Sequence, residues 1–245
     1  MNKTCKKYEL TDETVEHAGR TLHRIRALID FTTADGVKIH AGDLGGYVEK
    51  YKNLSQNGNA WVDGNARVYG NAWVGGDAHV FGNARVGGDA HVFGNAHVFG
   101  DAWVGGDAHV FGNAHVFGNA RVGGNAWVDG NTRVYGNAWV GGDAHVFGNA
   151  RVGGDARVGG NSHMLTISNI GSRGGTTTFF RGSDNKIHVN CGCFNGTIDE
   201  FANAVDETHG DNKHGQTYRK SIEIAKLHIE LDMGGERKND NKQNK

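Results

Sequence analysis

Two cysteines and three histidines near the C-terminal end of the chain are the residues best suited to chemistry. Cys191 and Cys193 flank a single glycine, and His188, His209 and His214 lie close to them in the sequence. Thiolates and imidazoles act as nucleophiles and as zinc ligands. A catalytic thiol also needs a base, a group that orients the base and an oxyanion donor, and no motif near these cysteines supplies all three. A Cys-x-Cys within one strand places both thiols on one face of the sheet, most often the face toward the core. We therefore expect structural packing here, rather than a catalytic or zinc site.

Half of the fourteen histidines belong to a repeat of six residues. Eighteen consecutive hexads begin at every sixth residue from Gly58 to Gly160, and nearly all read Gly-Asn/Asp-Ala-X-Val-Z. Position X is Trp, Arg or His, and position Z is Phe, Tyr, Gly or Asp, with Leu165 closing the series. The repeat alone accounts for the abundance of histidine, so that abundance does not indicate catalysis.

Each hexad has the pattern of a short strand followed by a corner. The Ala and Val positions are two apart and share one face, whereas X points the other way. Gly-Asn and Gly-Asp accept a positive φ at little cost, and two such breakers per hexad exclude a helix because each costs about 1 kcal/mol. The pattern predicts a chain that coils around an axis filled by valine and alanine.

The repeat resembles the signature of hexapeptide-repeat proteins, of which one full instance is Val62-Asp63-Gly64-Asn65-Ala66-Arg67. This resemblance covers 108 residues, from 58 to 165. It implies a left-handed parallel β-helix, an exception to right-handed crossovers, with three hexads in each triangular coil. The predicted fold class is mainly β: about six coils, stacked over about 29 Å, with an N-terminal β cap and a small C-terminal α+β module.

Three hexads per coil sort the outward X residues into three ladders. The first face carries Trp61, His79, His97, His115, Arg133 and Arg151. The second, which we call the Arg/Trp face, carries Arg67, Arg85, Trp103, Arg121, Trp139 and Arg157. The third face carries Trp73, His91, His109, Trp127, His145 and His163.

The Arg/Trp face is the candidate ligand-binding surface. Its Z positions are mostly glycine, which would let a planar base approach the indoles, and planar cations beside indoles suit stacking on bases or holding phosphates. This composition predicts binding of nucleotides or single-stranded nucleic acid. The alternative is a solvated face on which arginine covers tryptophan through cation–π contacts.

Columns of phenylalanine flank the other two faces and form the candidate oligomer interface. They consist of Phe81, Phe99 and Phe117 beside the first face, and Phe93, Phe111 and Phe147 beside the third. Apolar columns of this size usually mark an interface, and the resemblance to hexapeptide-repeat proteins implies a homotrimer. The alternative is that duplication of the repeat copied these rings, which would then lie partly exposed at the corners.

The resemblance also raises an enzymatic alternative, because many hexapeptide-repeat proteins are acyltransferases. Such enzymes use a catalytic histidine at the subunit boundary and usually an excursion loop, whereas all eighteen hexads here are uninterrupted. Related carbonic anhydrases bind zinc through three histidines of neighbouring subunits, but His91 and His97 fall on different faces and no unique trio stands out. We assign no catalytic residue, metal or cofactor.

The segments outside the repeat are expected to form separate units. Residues 1–57 predict a cap with a strand over 21–27, a short strand after Gly36, and an inward row that begins at Val48 and Leu54. Residues 166–232 predict strands over 166–170, 176–181 and 186–193. Two helices follow, one capped by Thr197 and running to about residue 208, the other over 216–231. Residues 233–245 are polar and predict a disordered tail.

The flanking segments extend the resemblance to hexapeptide-repeat proteins of phages and prophages. They read Gly45-Gly46-Tyr47-Val48-Glu49 before the repeat and Cys193-Phe194-Asn195-Gly196-Thr197 after it. The net charge of −1 gives no field that would drive binding to nucleic acid or membranes, and three cysteines suit a reducing compartment. We expect a cytoplasmic, non-enzymatic binding scaffold that acts on a host component or sequesters a nucleotide.

Overall fold

A computed structural model describes residues 6–232, so the tail predicted for residues 233–245 lies outside the described residues. The N-terminal cap holds five strands: β1 Tyr8–His17, β2 Arg20–Ala27, β3 Phe31–Thr32, β4 Lys38–Ile39 and β5 Leu44–Val48. The solenoid holds seventeen strands of two residues, each an X-Val pair: β6 Trp61–Val62, β7 Arg67–Val68, β8 Trp73–Val74, β9 His79–Val80, β10 Arg85–Val86, β11 His91–Val92, β12 His97–Val98, β13 Trp103–Val104, β14 His109–Val110, β15 His115–Val116, β16 Arg121–Val122, β17 Trp127–Val128, β18 Arg133–Val134, β19 Trp139–Val140, β20 His145–Val146, β21 Arg151–Val152 and β22 Arg157–Val158.

The C-terminal module consists of four strands and two helices. They are β23 Met164–Ile170, β24 Gly175–Arg181, β25 Ile187–Cys191, β26 Phe194–Thr197, α1 Ile198–His209 and α2 Lys213–His228. The strands form one antiparallel sheet in the order β23-β24-β25-β26. Within residues 6–232, neither helix is long and apolar enough to cross a membrane.

The solenoid strands pair in parallel with the strand one coil further along. Arg85 lies opposite Arg67 on one side and Trp103 on the other, so partners are eighteen residues apart, or three hexads. Three parallel sheets result, and the sheet of the Arg/Trp face continues into the cap as β1-β2-β5-β7-β10-β13-β16-β19-β22. The sequence predictions of a β-helix, three hexads per coil and about six coils are confirmed.

Valine and alanine fill the axis, and glycine makes the corners. The valines of the repeat, from Val62 to Val158, are fully buried, and so is almost every alanine of the repeat. The corner glycines from Gly58 to Gly154 have φ values between 55° and 72°, in the left-handed region. At the corners from Gly58 to Gly142, a Cβ would also approach the backbone of the next coil, which lies 2.9 Å away in the case of Gly106. At these corners both the backbone conformation and the stacking distance require glycine, whereas on the last coil only the conformation does.

The N-terminal cap closes the first coil, and its inward row starts where the sequence predicts. Val48 pairs with Val68, and Leu54 bridges to Val74. Leu54 therefore occupies a valine position rather than the alanine position that counting back by sixes assigns, because two extra residues separate it from Val62.

A buried lysine of the cap binds the backbone of the first coil. The ammonium group of Lys7 donates to the carbonyls of Gly58 at 3.2 Å and Ala60 at 2.7 Å. Burial lowers the pKa of Lys7 to about 8.

The module begins slightly earlier than the repeat predicts. The last hexad leaves the coil after Gly160, and His163 lies in the 3₁₀ turn Asn161–His163. Met164 still packs in the solenoid core, whereas Leu165 packs in the core of the module. The predictions that His163 lies on the third face and that Leu165 ends the last coil are therefore wrong. The chain does not turn a further corner after Gly160, because β23 begins at Met164 and continues to Ile170.

The two helices pack on the module sheet nearly as expected. The capping box between Thr197 and Glu200 is confirmed, and Gly210 ends α1. Helix α2 starts at Lys213, earlier than predicted, because the Asn212 side chain accepts from two backbone amides of its first turn. Leu227 of this helix is apolar but lies on its outer side, where it is 89% exposed.

Candidate functional site

The Arg/Trp face forms one in-register ladder. Strands β7, β10, β13, β16, β19 and β22 follow one another in the same sheet. Since neighbouring strands lie about 4.8 Å apart, the side chains of Arg67, Arg85, Trp103 and Arg121 follow one line along the solenoid. At this spacing, side chains on adjacent strands can contact successive phosphates of an extended nucleic-acid strand.

The space above the Z glycines of this face is filled by the protein's own rings, contrary to expectation: Tyr69 covers Gly87, and two indoles cover the other four glycines. The six-membered ring of Trp103 takes the place that a Cβ on Gly105 would fill, and lies 3.1 Å from the place of a Cβ on Gly123. Trp139 covers Gly141 in the same way two coils further along. The indoles of Trp103 and Trp139 therefore pack over these glycines, and no open space remains there for a nucleotide base.

The arginines of this face lack acidic partners. Within residues 6–232, none of Arg67, Arg85, Arg121 and Arg157 forms an ion pair, and Arg121 is exposed. Arg157 donates to the carbonyls of Asn137 and Ala156, each at 3.1 Å. Burial and then the charges of Arg67 and Arg85 lower the pKa of the nearby His17. Within the described part of the chain, the guanidinium groups of this face are therefore not neutralised by a carboxylate in direct contact.

A cleft lies at the C-terminal end of the Arg/Trp face. It has a volume of about 500 Å³ and is lined by Asn119, Arg121, Asn137, Trp139 and Arg157. Two guanidinium groups, two amides and the edge of an indole suit a small anion or a phosphate, because all of them except the indole supply several donors. The structure thus brings together three of the predicted ligand-binding residues: Arg121, Trp139 and Arg157.

The imidazoles of the first face form a second ladder, which the cap covers at one end. Nδ1 of the buried His79 lies 2.9 Å from the carboxylate of Asp35, and Nε2 of His97 lies 3.9 Å from the same oxygen. Burial opposes ionisation of Asp35, but hydrogen bonds with Thr33 and His79 prevail and lower its pKa. Within the described residues, no group of three or more His, Cys, Asp or Glu side chains is placed to hold a metal ion.

The phenylalanine columns stack within a single chain. The rings of Phe81 and Phe99 lie 4.8 Å apart and nearly parallel, and those of Phe93 and Phe111 lie 4.9 Å apart. These rings, like Phe117, are half-buried by one another, so they expose less area than their sequence positions suggest. Phe147 differs: it is 60% exposed and lies beside Trp127, which is 44% exposed.

Of the five candidate cysteines and histidines of the module, Cys191, Cys193 and His209 line one cleft, whereas His188 lies elsewhere. The predicted strand over 186–193 ends at Cys191, and Gly192 turns the chain with a φ of 61°, so the expectation that Cys191 and Cys193 share a face of one strand is wrong. Cys193 is exposed at the turn, whereas Cys191 accepts a hydrogen bond from Thr177 at 3.1 Å. His188 pairs instead with Asp184 at 2.9 Å, near the solenoid end.

An apolar cleft of the module was missed by sequence reasoning. It has a volume of about 320 Å³ and lies between the hairpin turns of the sheet and helix α1, with Phe194, Phe201, Val205 and Tyr218 among its lining residues. The aromatic residues are scattered over three elements, so no spacing in the sequence groups them. The signal in the sequence was the group of Cys191, Cys193 and His209, all of which line this cleft.

A comparison with known protein families yields a match to part of the solenoid. The family described as the YdcK Beta solenoid repeat matches residues 64–76, which span β7 and β8. No curated protein matches the chain significantly. The matched stretch is short, but the same hexad continues through six coils of parallel strands, each in register with the next. The chain is a β-solenoid repeat protein.

Proposed function

We propose that this protein is a non-enzymatic binding scaffold of phage or prophage type, in which the solenoid acts as a rigid oligomeric spacer and the C-terminal module recognises a host component in the cytoplasm. The observation that carries the proposal is the unbroken solenoid. From Trp61 to Val158 every corner leads directly to the next strand, with no loop inserted between coils. An acyltransferase of this architecture would need such a loop, or a partner surface, to shape an acceptor site.

The C-terminal end of the solenoid supports the same role. The Asn190 side-chain amide donates to the carbonyl of Arg151 at 2.9 Å, and the backbone amide of Ser183 donates to the carbonyl of Asp155 at 2.9 Å. The module is therefore hydrogen-bonded to the last coil rather than tethered by a linker. A rigid rod with a folded module fixed at one end suits presentation of a binding surface.

Oligomerisation is the first test of the scaffold. We expect light scattering in dilute solution to give about three times the chain mass of 26.3 kDa. Because Phe147 is the most exposed ring of the predicted interface, Phe147→Asp should shift the mass toward one chain. Leu227→Asp, which replaces an apolar residue that is 89% exposed on α2, is the matched control and should leave the mass unchanged. A wild-type mass of one chain would contradict the oligomeric scaffold.

Binding of an anion by the Arg/Trp face is a second candidate function. The 500 Å³ cleft around Arg121, Trp139 and Arg157 favours it, because guanidinium groups without carboxylate partners retain their affinity for phosphate. A nucleotide would place its phosphates between the arginines and its base against the outer side of the Trp139 indole. Single-stranded nucleic acid would continue the same contacts toward Arg85.

A further inference from the structure

The cleft of the C-terminal module has the chemistry of a small-molecule site. We propose that it binds a small aromatic acid, with the aromatic body against the wall formed by Phe194, Phe201 and Val205 and the acidic group at Tyr218 and Arg173. This inference rests on the proposed recognition role of the module and names the class of ligand. It is independent of the anion cleft on the solenoid.

The walls of the cleft are apolar and aromatic. The rings of Phe194 and Phe201 lie 5.1 Å apart, and those of Phe201 and Tyr218 lie 5.5 Å apart in an edge-to-face arrangement. Phe194 and Ile170 are only half-buried, and both line the cleft. A volume of about 320 Å³ accommodates a fused pair of aromatic rings and lies at the lower end of the range for small-molecule sites.

Tyr218 supplies a donor that the protein itself does not use. Its side chain is about nine-tenths buried, and its oxygen lies 3.6 Å from the sulfur of Cys191. Within residues 6–232, the hydroxyl proton has no oxygen or nitrogen acceptor. Burial and the neighbouring Cys191 raise the pKa of Tyr218 to about 12, so the group stays protonated at neutral pH. A buried donor without a good acceptor is costly, and a carboxylate in the cleft would satisfy it.

The charge of the cleft selects an anion. Its fourteen lining residues include Arg173 and His209 but no aspartate or glutamate. Arg173 lies in the turn between β23 and β24 and is exposed, so its side chain is free to turn toward a carboxylate in the cleft. The ring centroids of His209 and Tyr218 lie 5.6 Å apart, so the imidazole adds a second polar group to this part of the cleft. An apolar body with one negative group therefore fits both the walls and the rim.

The test uses the full-length protein and the fluorescent probe anilinonaphthalene sulfonate, which combines fused rings with an acidic group. We expect saturable binding, competed by naphthoate at least tenfold better than by the neutral naphthamide. Tyr218→Phe should weaken naphthoate binding about tenfold or more, as expected for a lost hydrogen bond to a charged group, and Arg173→Gln should remove the preference for naphthoate over naphthamide. Ala204→Phe, which fills the cleft, should abolish binding of both.

Matched controls separate the cleft from general effects. Tyr135→Phe changes a tyrosine that packs over Gly153 on the solenoid, and Lys220→Gln removes an exposed charge on α2 outside the cleft. Both should leave probe binding unchanged. Probe binding that Ala204→Phe does not reduce, or equal competition by naphthoate and naphthamide, would overturn the proposal. Neither result would alter the oligomeric mass, so failure of this inference is distinguishable from failure of the scaffold.

Discussion

Replacing Gly106 with alanine is expected to lower the free energy of unfolding by about 2–5 kcal/mol. An L-residue in the left-handed region costs about 1–2 kcal/mol, and the φ of Gly106 is 64°. The new Cβ would also lie 2.9 Å from the backbone nitrogen and oxygen of Gly124, which cannot move without displacing the next coil. Crowding of this kind adds about 1–3 kcal/mol. Chemical denaturation followed by circular dichroism measures the loss.

Gly154→Ala is the matched control for this prediction. Gly154 has nearly the same φ, 63°, but a Cβ there would meet nothing within 4 Å because it lies on the last coil. Only the conformational cost of about 1–2 kcal/mol should remain. Equal losses for the two variants would show that close stacking of the corners adds nothing to the requirement for glycine.

The double variant Arg85→Glu/Arg121→Glu is expected to bind short oligonucleotides and nucleotides at least tenfold more weakly than the wild type at low salt. These arginines make no ion pair within the described residues, so their charge is available to phosphates. Binding by the wild type should weaken as salt rises, because counterions return to the phosphates. The double variant should lose most of that salt dependence. Fluorescence anisotropy at low and high salt measures both effects.

The control for this variant changes the net charge equally on other surfaces. Arg133→Glu/Lys52→Glu alters an exposed arginine of the first face and an exposed lysine of the cap. It should retain the affinity and the salt slope of the wild type. If both double variants bind equally well, or if the wild type shows no salt-sensitive binding, the Arg/Trp face is not an anion site.

The solenoid could be predicted from sequence because each hexad repeats a purely local rule. Alternation of Ala and Val specifies the inward side, and the corner glycine specifies where the chain bends. The register of Arg85 with Arg67 and Trp103 then follows from a period of eighteen residues. No long-range information is needed, since each coil contacts only its neighbours.

Features that depend on side chains from different coils or elements could not be predicted. The position of the Trp103 indole over Gly105 and Gly123 depends on the side-chain rotamer of Trp103, which the sequence does not specify. From the sequence alone, these glycines predict open space beside the indole. The extra residues after Leu54 shift the register by two without breaking the apolar pattern. The cleft of the module joins Phe194, Phe201 and Tyr218 from one strand and two helices, and only the packing of those elements reveals it.

The most direct test of the central claim, that the chain binds rather than catalyses, is to incubate the pure protein with acetyl-coenzyme A and a panel of amine and hydroxyl acceptors. Chromatography then measures the coenzyme A released. The scaffold predicts the same slow release with and without acceptor, equal to that of buffer, because no inserted loop shapes an acceptor site between Trp61 and Val158. Release that saturates with acetyl-coenzyme A and depends on an acceptor would contradict the scaffold and establish an acyltransferase.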